Sequence, residues 1–226
     1  MCYSVKTSLL SYTIGMISGI AALYIREYAV GMLILIYCQV QLAEALIWRG
    51  IDTDNIELNR KGTLYAKYTL PAHLLVAGIG FMMIPKTSNI SNISKNMPFY
   101  VGLLFYIGVI LYYTYPSSIK DGKNDLSYPP NLSCIKRECQ NNENRLIWPF
   151  KDKWYLLQTF LLFFSFLVIF PQYKTFIIIF YFALTYMISK ITHQITYSSI
   201  WCFISAVLAP ILVLSLFLYN KFQVKS

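Results

Sequence analysis

The sequence predicts an all-α fold, a seven-transmembrane-helix bundle in a single domain. Three observations carry that expectation. Of 226 residues, 57% are hydrophobic and only 13% charged, against roughly 45–50% apolar and about 25% charged in a soluble domain. So little polar surface cannot cover a soluble globule, which excludes a soluble enzyme, a coiled coil and a disordered chain. The apolar residues gather in seven runs, most of them near the roughly 17–25 residues that a spanning helix needs. The runs are continuous, without the period-two alternation of a β-barrel.

The first span covers residues 7–25 and stops at Arg26 and Glu27. Only Lys6 precedes it, and no A-x-A-like site comes after it, so it reads as a retained helix and not as a cleaved leader. The second covers 28–48, closed by Arg49. The third covers 68–84, led in by Arg60, Lys61 and Lys67. The fourth covers 99–115 and stops at Pro116; the fifth covers 154–170 and stops at Pro171. The sixth, 176–189, is short and flanked by Lys174 and Lys190, and the seventh, 198–219, ends before Lys221. Between the fourth and fifth lies a long extramembrane loop, 116–152, rich in turn-forming residues at first. Its later part, with Cys134, Ile135 and Leu146 to Trp148, suits a small hairpin or a membrane-surface segment.

Seven spans put the termini on opposite sides. The N-terminal side carries 13 of the 19 Lys and Arg residues, which by the positive-inside rule favours a cytoplasmic N-terminal side. Seven of those 13 come from the stretch between Lys120 and Lys153. Cys134 and Cys139, in the run C-I-K-R-E-C, suit a disulfide. The sequon at Asn131 would also suit a lumenal side, but further sequons at Asn89 and Asn92 fall on the opposite side, so one set must be idle. Two cysteines are too few for a four-ligand structural zinc site. No metal and no cofactor is expected. The net charge of +9 matches juxtamembrane lysines near anionic lipid, so the expected partner is the lipid bilayer, with no nucleic acid.

Ionisable and amide side chains inside a membrane are costly and mark function by default. In the second span, Tyr37, Gln41, Glu44 and Trp48 recur at intervals of four, three and four, and so line one helical face. Glu44 sits four residues from the N-terminal-side end, roughly 6 Å deep, and His73 five residues in from Tyr68, roughly 8 Å deep. A Glu44–His73 pair is geometrically accessible; a Glu44 pair with Lys67 or Arg49 is the plainer reading. Gln158, Ser199, Cys202 and Ser205 fall at the same end, as do Ser8, Ser11 and Thr185. These positions predict a one-sided polar pocket above a dry opposite half. Trp48, Trp201 and the tyrosines are expected in an interfacial aromatic belt. Ser11, Gly15 and Gly19 form a small-residue stripe that predicts a close helix contact.

Several seven-helix classes are refused by the residues. The last span has no lysine for a retinal Schiff base, and neither a D-R-Y nor an N-P-x-x-Y motif of G-protein-coupled receptors occurs. Two histidines cannot supply the three that ceramidase-type zinc hydrolases use, although Cys202 or Glu44 could in principle stand in as a ligand. Pro171-Gln172 stands where a PQ-loop transporter carries such a dipeptide, but its counterpart after the first span is missing. The runs Q-L-A-E-A-L-I-W (Gln41 to Trp48), S-S-I-W-C-F (Ser198 to Phe203) and L-I-W-P-F in the long loop resemble an uncharacterised group of multi-pass membrane proteins of giant DNA viruses and microbial eukaryotes. That resemblance implies a multi-pass fold and no particular chemistry.

The leading functional expectation is a non-enzymatic protein that binds or moves a small polar or amphipathic ligand, a lipid among them, oriented by Gln41, Glu44 and His73. The alternatives are an intramembrane lipid hydrolase with Glu44 or His73 as general base, and a structural or assembly protein of a viral or organelle membrane.

Overall fold

A computed structural model of the chain describes residues 4–85, 92–114, 134–135, 146–147, 154–170, 172–192 and 197–223. Within them the protein is all-helical apart from one two-residue strand pairing. Helix α1 (Val5–Tyr24) opens on Ser4, whose Oγ accepts the Thr7 N–H at 3.2 Å and so satisfies one of the first-turn donors. It ends in a tight turn through Arg26, whose φ of 65° is left-handed, and α2 (Tyr28–Asp52) starts two residues later. A second left-handed residue, Asp54, closes α2, and the Asn55 N–H returns to the Gly50 carbonyl at 2.8 Å. Asn55 then caps α3 (Ile56–Thr69) by accepting from Leu58 N–H.

Pro71 shapes the next stretch of chain. It lacks an N–H and cannot continue the α-helical ladder. The chain passes through one 3₁₀ turn, Leu70–Ala72, before resuming as α4 (His73–Met82). From Ile56 to Met82 the path is therefore one interrupted helical rod. Helix α5 (Asn92–Tyr112) comes next, then an antiparallel pairing of Cys134–Ile135 with Leu146–Ile147 within the long loop. Helix α6 (Tyr155–Ile169) stops at Phe170, which is extended as a residue before proline should be. The Phe166 carbonyl accepts both the Phe170 N–H at 3.0 Å and the Thr175 hydroxyl at 3.1 Å. Helices α7 (Gln172–Thr192) and α8 (Tyr197–Gln223) complete the bundle.

Helix α2 is the hub, in contact with α1, α3, α4 and α8. Helix α5 packs on α4, α7 on α8, and α6 touches α4, α5 and α7. Close approach relies on small residues, as membrane helices require. An added Cβ at Gly15 would lie 2.5 Å from the Cys38 Cβ, so the predicted α1 stripe does face α2. On α4, a Cβ at Gly78 would lie 2.6 Å from the Phe99 Cα of α5. The outward faces are apolar: Leu104, Phe160, Phe164, Leu167, Phe176 and Phe180 are all exposed. Large apolar surface without a protein cover belongs in lipid.

Five helices are long and apolar enough to cross a bilayer: α1, α2 and stretches of α5, α7 and α8. Helix α6 is apolar but shorter, with 15 residues, and the third predicted span is the end of the interrupted α3–α4 rod. The protein is an integral membrane protein by this criterion. Helix α3 itself is not announced by hydropathy, since its composition is polar; it supplies an exposed Arg60–Glu57 ion pair at 3.3 Å.

Candidate functional site

The polar face of α2 points inward. Tyr37, Gln41, Glu44 and Trp48 are all buried, and Glu44 is 0% exposed. Gln39, on another face, is half-buried and accepts from the Tyr65 hydroxyl at 2.8 Å. From α1, Ser11 Oγ donates to Gln41 Oε1 at 2.8 Å, and Ser8 is buried one turn earlier on the same helix. His73, 1% exposed, opens α4 directly after the Pro71 break. Its ring stacks on Tyr37 with centroids 4.2 Å apart and planes within 9°, and Tyr155 meets it edge-on at 6.2 Å.

The Tyr155 hydroxyl donates to the Tyr37 oxygen at 3.3 Å, and the buried Cys202 thiol lies close enough to Tyr155 and Glu44 to interact with both electrostatically. Gln158, one turn along α6, reaches the site of the proline break. Its Nε2 donates to the carbonyls of Leu70 and Pro71, both at 3.1 Å. An amide from a separate helix thus holds the backbone at the 3₁₀ turn where Pro71 interrupts the rod.

Side chains of α7 and α8 form a second, self-contained network around Thr185. Its hydroxyl accepts from Trp201 Nε1 at 2.9 Å and from Ser205 Oγ at 3.2 Å, while Tyr181 donates to the Ser205 carbonyl. Trp201 also meets Tyr37, Tyr155 and Tyr186 ring to ring. Trp48 and Trp201 are therefore interior residues, 3% and 2% exposed, and not members of an interfacial belt. Their flat rings fill the gaps between helices in the bundle interior.

The structure brings most of the predicted residues to one end. Gln41, Glu44, His73, Gln158, Cys202 and Ser205 are all buried at the N-terminal end of the bundle. Ser199 lies in α8, with its side chain outside the described residues, as are His193, Cys139 and the side chain of Cys134. The Glu44–Lys67 and Glu44–Arg49 pairs are not formed: Lys67 lies over the Tyr113 ring at 4.6 Å, and Arg49 is exposed. His73 stacks on Tyr37 instead of presenting Nε2 to Glu44; that atom is buried with no hydrogen-bond partner among the described residues. The same holds for Gln158 Oε1, Trp48 Nε1 and Ser8 Oγ. Among the described residues no group of three or more His, Cys, Asp or Glu could hold a metal ion.

At the opposite end is a charged cluster that no single span reveals. Glu27, 2% exposed, holds Lys174 Nζ at 2.7 Å and accepts from Asn220 Nδ2 at 2.7 Å. It ties the start of α2 to the start of α7 and the end of α8. The available signal is topological, since all three residues fall at helix ends on the same side of the topology that the sequence predicts. No protein family, curated protein or solved structure matches the chain.

Proposed function

We propose that the protein is a seven-span membrane protein that binds or moves a small polar or amphipathic ligand within the N-terminal-side half of its bundle. On this reading the α3–α4 rod and α6 complete the five longer spans. The apolar end of the rod, 68–84, is at the lower limit of the roughly 17–25 residues that a span needs, and the polar α3 precedes it. The excess of Lys and Arg on the N-terminal side, carried by the long loop, favours a cytoplasmic face there.

The observation that carries the functional reading is the pair of buried atoms His73 Nε2 and Gln158 Oε1, without a hydrogen-bond partner among the described residues and flanking the Pro71 break in one interior. Leaving such atoms unsatisfied costs about 1–3 kcal/mol each, and more where no water is at hand. Buried polar atoms are kept at that cost where something binds them, whether ordered water or a ligand. Glu44, Gln41 and Cys202 supply charge and further donors and acceptors to the same region. The assembly reading draws on the Thr185 network, whose hydroxyls and indole already satisfy one another as helix glue does.

The test is a thermal-shift screen of small polar and amphipathic compounds on purified protein in lipid nanodiscs, repeated on Glu44→Gln and His73→Ala. A compound that stabilises the native chain and loses at least about tenfold in affinity on either change, roughly 1.4 kcal/mol, supports a binding interior. If no compound distinguishes the variants from the native chain, the polar residues serve packing alone.

A further inference from the structure

Lys67 stands out among the charged residues. It is 7% exposed, on α3 just ahead of the apolar stretch of the rod, and among the described residues its ammonium has no carboxylate partner. It lies instead over the face of Tyr113, at 4.6 Å from the ring centroid. A ring face attracts a cation but leaves its charge uncompensated.

An apolar groove lies beyond that ring, lined by Tyr113's neighbours and not by Lys67 itself. Tyr113 meets Trp154 edge-on at 6.2 Å, and Trp154 in turn meets Phe105 at 6.0 Å. Phe105, Gly108, Val109, Tyr112, Trp154 and Leu157 line a groove of about 410 Å³ between α5 and α6. It follows α5 from Tyr112 back to Phe105, roughly 10 Å toward the bilayer centre. Its floor is open because residue 108 is glycine: nothing lies within 4 Å of where a Cβ would be.

We propose that Lys67 and this groove form a binding site for an anionic phospholipid, with the headgroup phosphate on the Lys67 ammonium and the start of one acyl chain along Gly108. The two halves of the site match the two halves of that molecule. A cation held at interfacial depth under an aromatic ring attracts a phosphate, and the apolar channel beneath it accepts hydrocarbon. A zwitterionic lipid would fill the groove but bring a choline or ethanolamine cation to the same lysine. The site is separate from the Glu44–His73 interior and does not depend on it.

Native mass spectrometry tests the assignment. The full chain, purified in a neutral detergent, is incubated with equimolar phosphatidylglycerol and phosphatidylcholine, and the retained lipid is counted. The native chain should retain phosphatidylglycerol preferentially. Lys67→Gln should reduce that preference about fivefold, while Lys67→Arg, which keeps the charge, should preserve it. Gly108→Trp fills the groove where there is open space, so the chain should fold normally and lose retention of both lipids. Unchanged preference in Lys67→Gln, or unchanged retention in Gly108→Trp, would overturn the site.

Discussion

The Glu27–Lys174–Asn220 clasp gives the sharpest test of the packing. Glu27 is 2% exposed and Lys174 13%, with 2.7 Å between charged atoms, so neither water nor salt shields the pair well. Lys174→Met removes the cation and leaves a buried carboxylate held by Asn220 alone. Breaking a buried ion pair from one side costs about 3–5 kcal/mol, because the remaining charge is uncompensated. Asn220→Leu removes one hydrogen bond to a charged group, about 1.5–3 kcal/mol. The double variant Glu27→Gln, Lys174→Met leaves no charge behind and should cost less than the sum of the two singles, by up to about 3 kcal/mol. Unfolding by titration with sodium dodecyl sulfate in mixed micelles, read by tryptophan fluorescence, compares these variants with the native chain. The native clasp should also resist salt, since about 1 M shortens the screening length only outside the protein. If Lys174→Met falls within about 0.5 kcal/mol of the native chain, as an exposed substitution would, the pair is solvated and the argument fails.

The helix contacts set three more expectations. Gly78→Ala places a methyl group 2.6 Å from the Phe99 backbone, which cannot move aside as a side chain can, so a loss of about 1–3 kcal/mol or more is expected in the same titration. Thr185→Val keeps the shape but strands the Trp201 indole N–H and loses the Ser205 bond; about 1–3 kcal/mol is expected, and a value near zero would show that the indole finds another acceptor. Cys38 and Cys202, both buried, should resist maleimide in the native state and label at the rate of unfolding, read by mass spectrometry. Rapid labelling of Cys202 without unfolding would instead reveal an open path into the polar interior.

Hydropathy made the apolar helices legible because lipid imposes a local rule: every residue of a span must be tolerable to hydrocarbon. The inward face of α2 was legible for a similar reason, since Tyr37, Gln41, Glu44 and Trp48 repeat with the helix period and polar groups turn away from lipid. Helix α3 escaped notice because its stability comes from the Asn55 cap and from packing on α2, not from apolar length. Belt and core positions look alike in a sequence, and only the neighbours of the rings place Trp48 and Trp201 in the interior.

The order of residues along the chain is thus enough to settle the solvent this protein lives in, the course of its apolar helices and the end of the bundle where intramembrane polarity collects. Each depends on residues a few positions apart. The partners came from tertiary structure alone. Glu27 meets residues 147 and 193 positions away, Gln158 holds the turn at Pro71, 87 positions upstream, and Lys67 leans on Tyr113 and not on Glu44. Those distances close only when helices pack side by side, and packing depends on the shape of whole faces, such as the glycines that let α1 onto α2 and α4 onto α5.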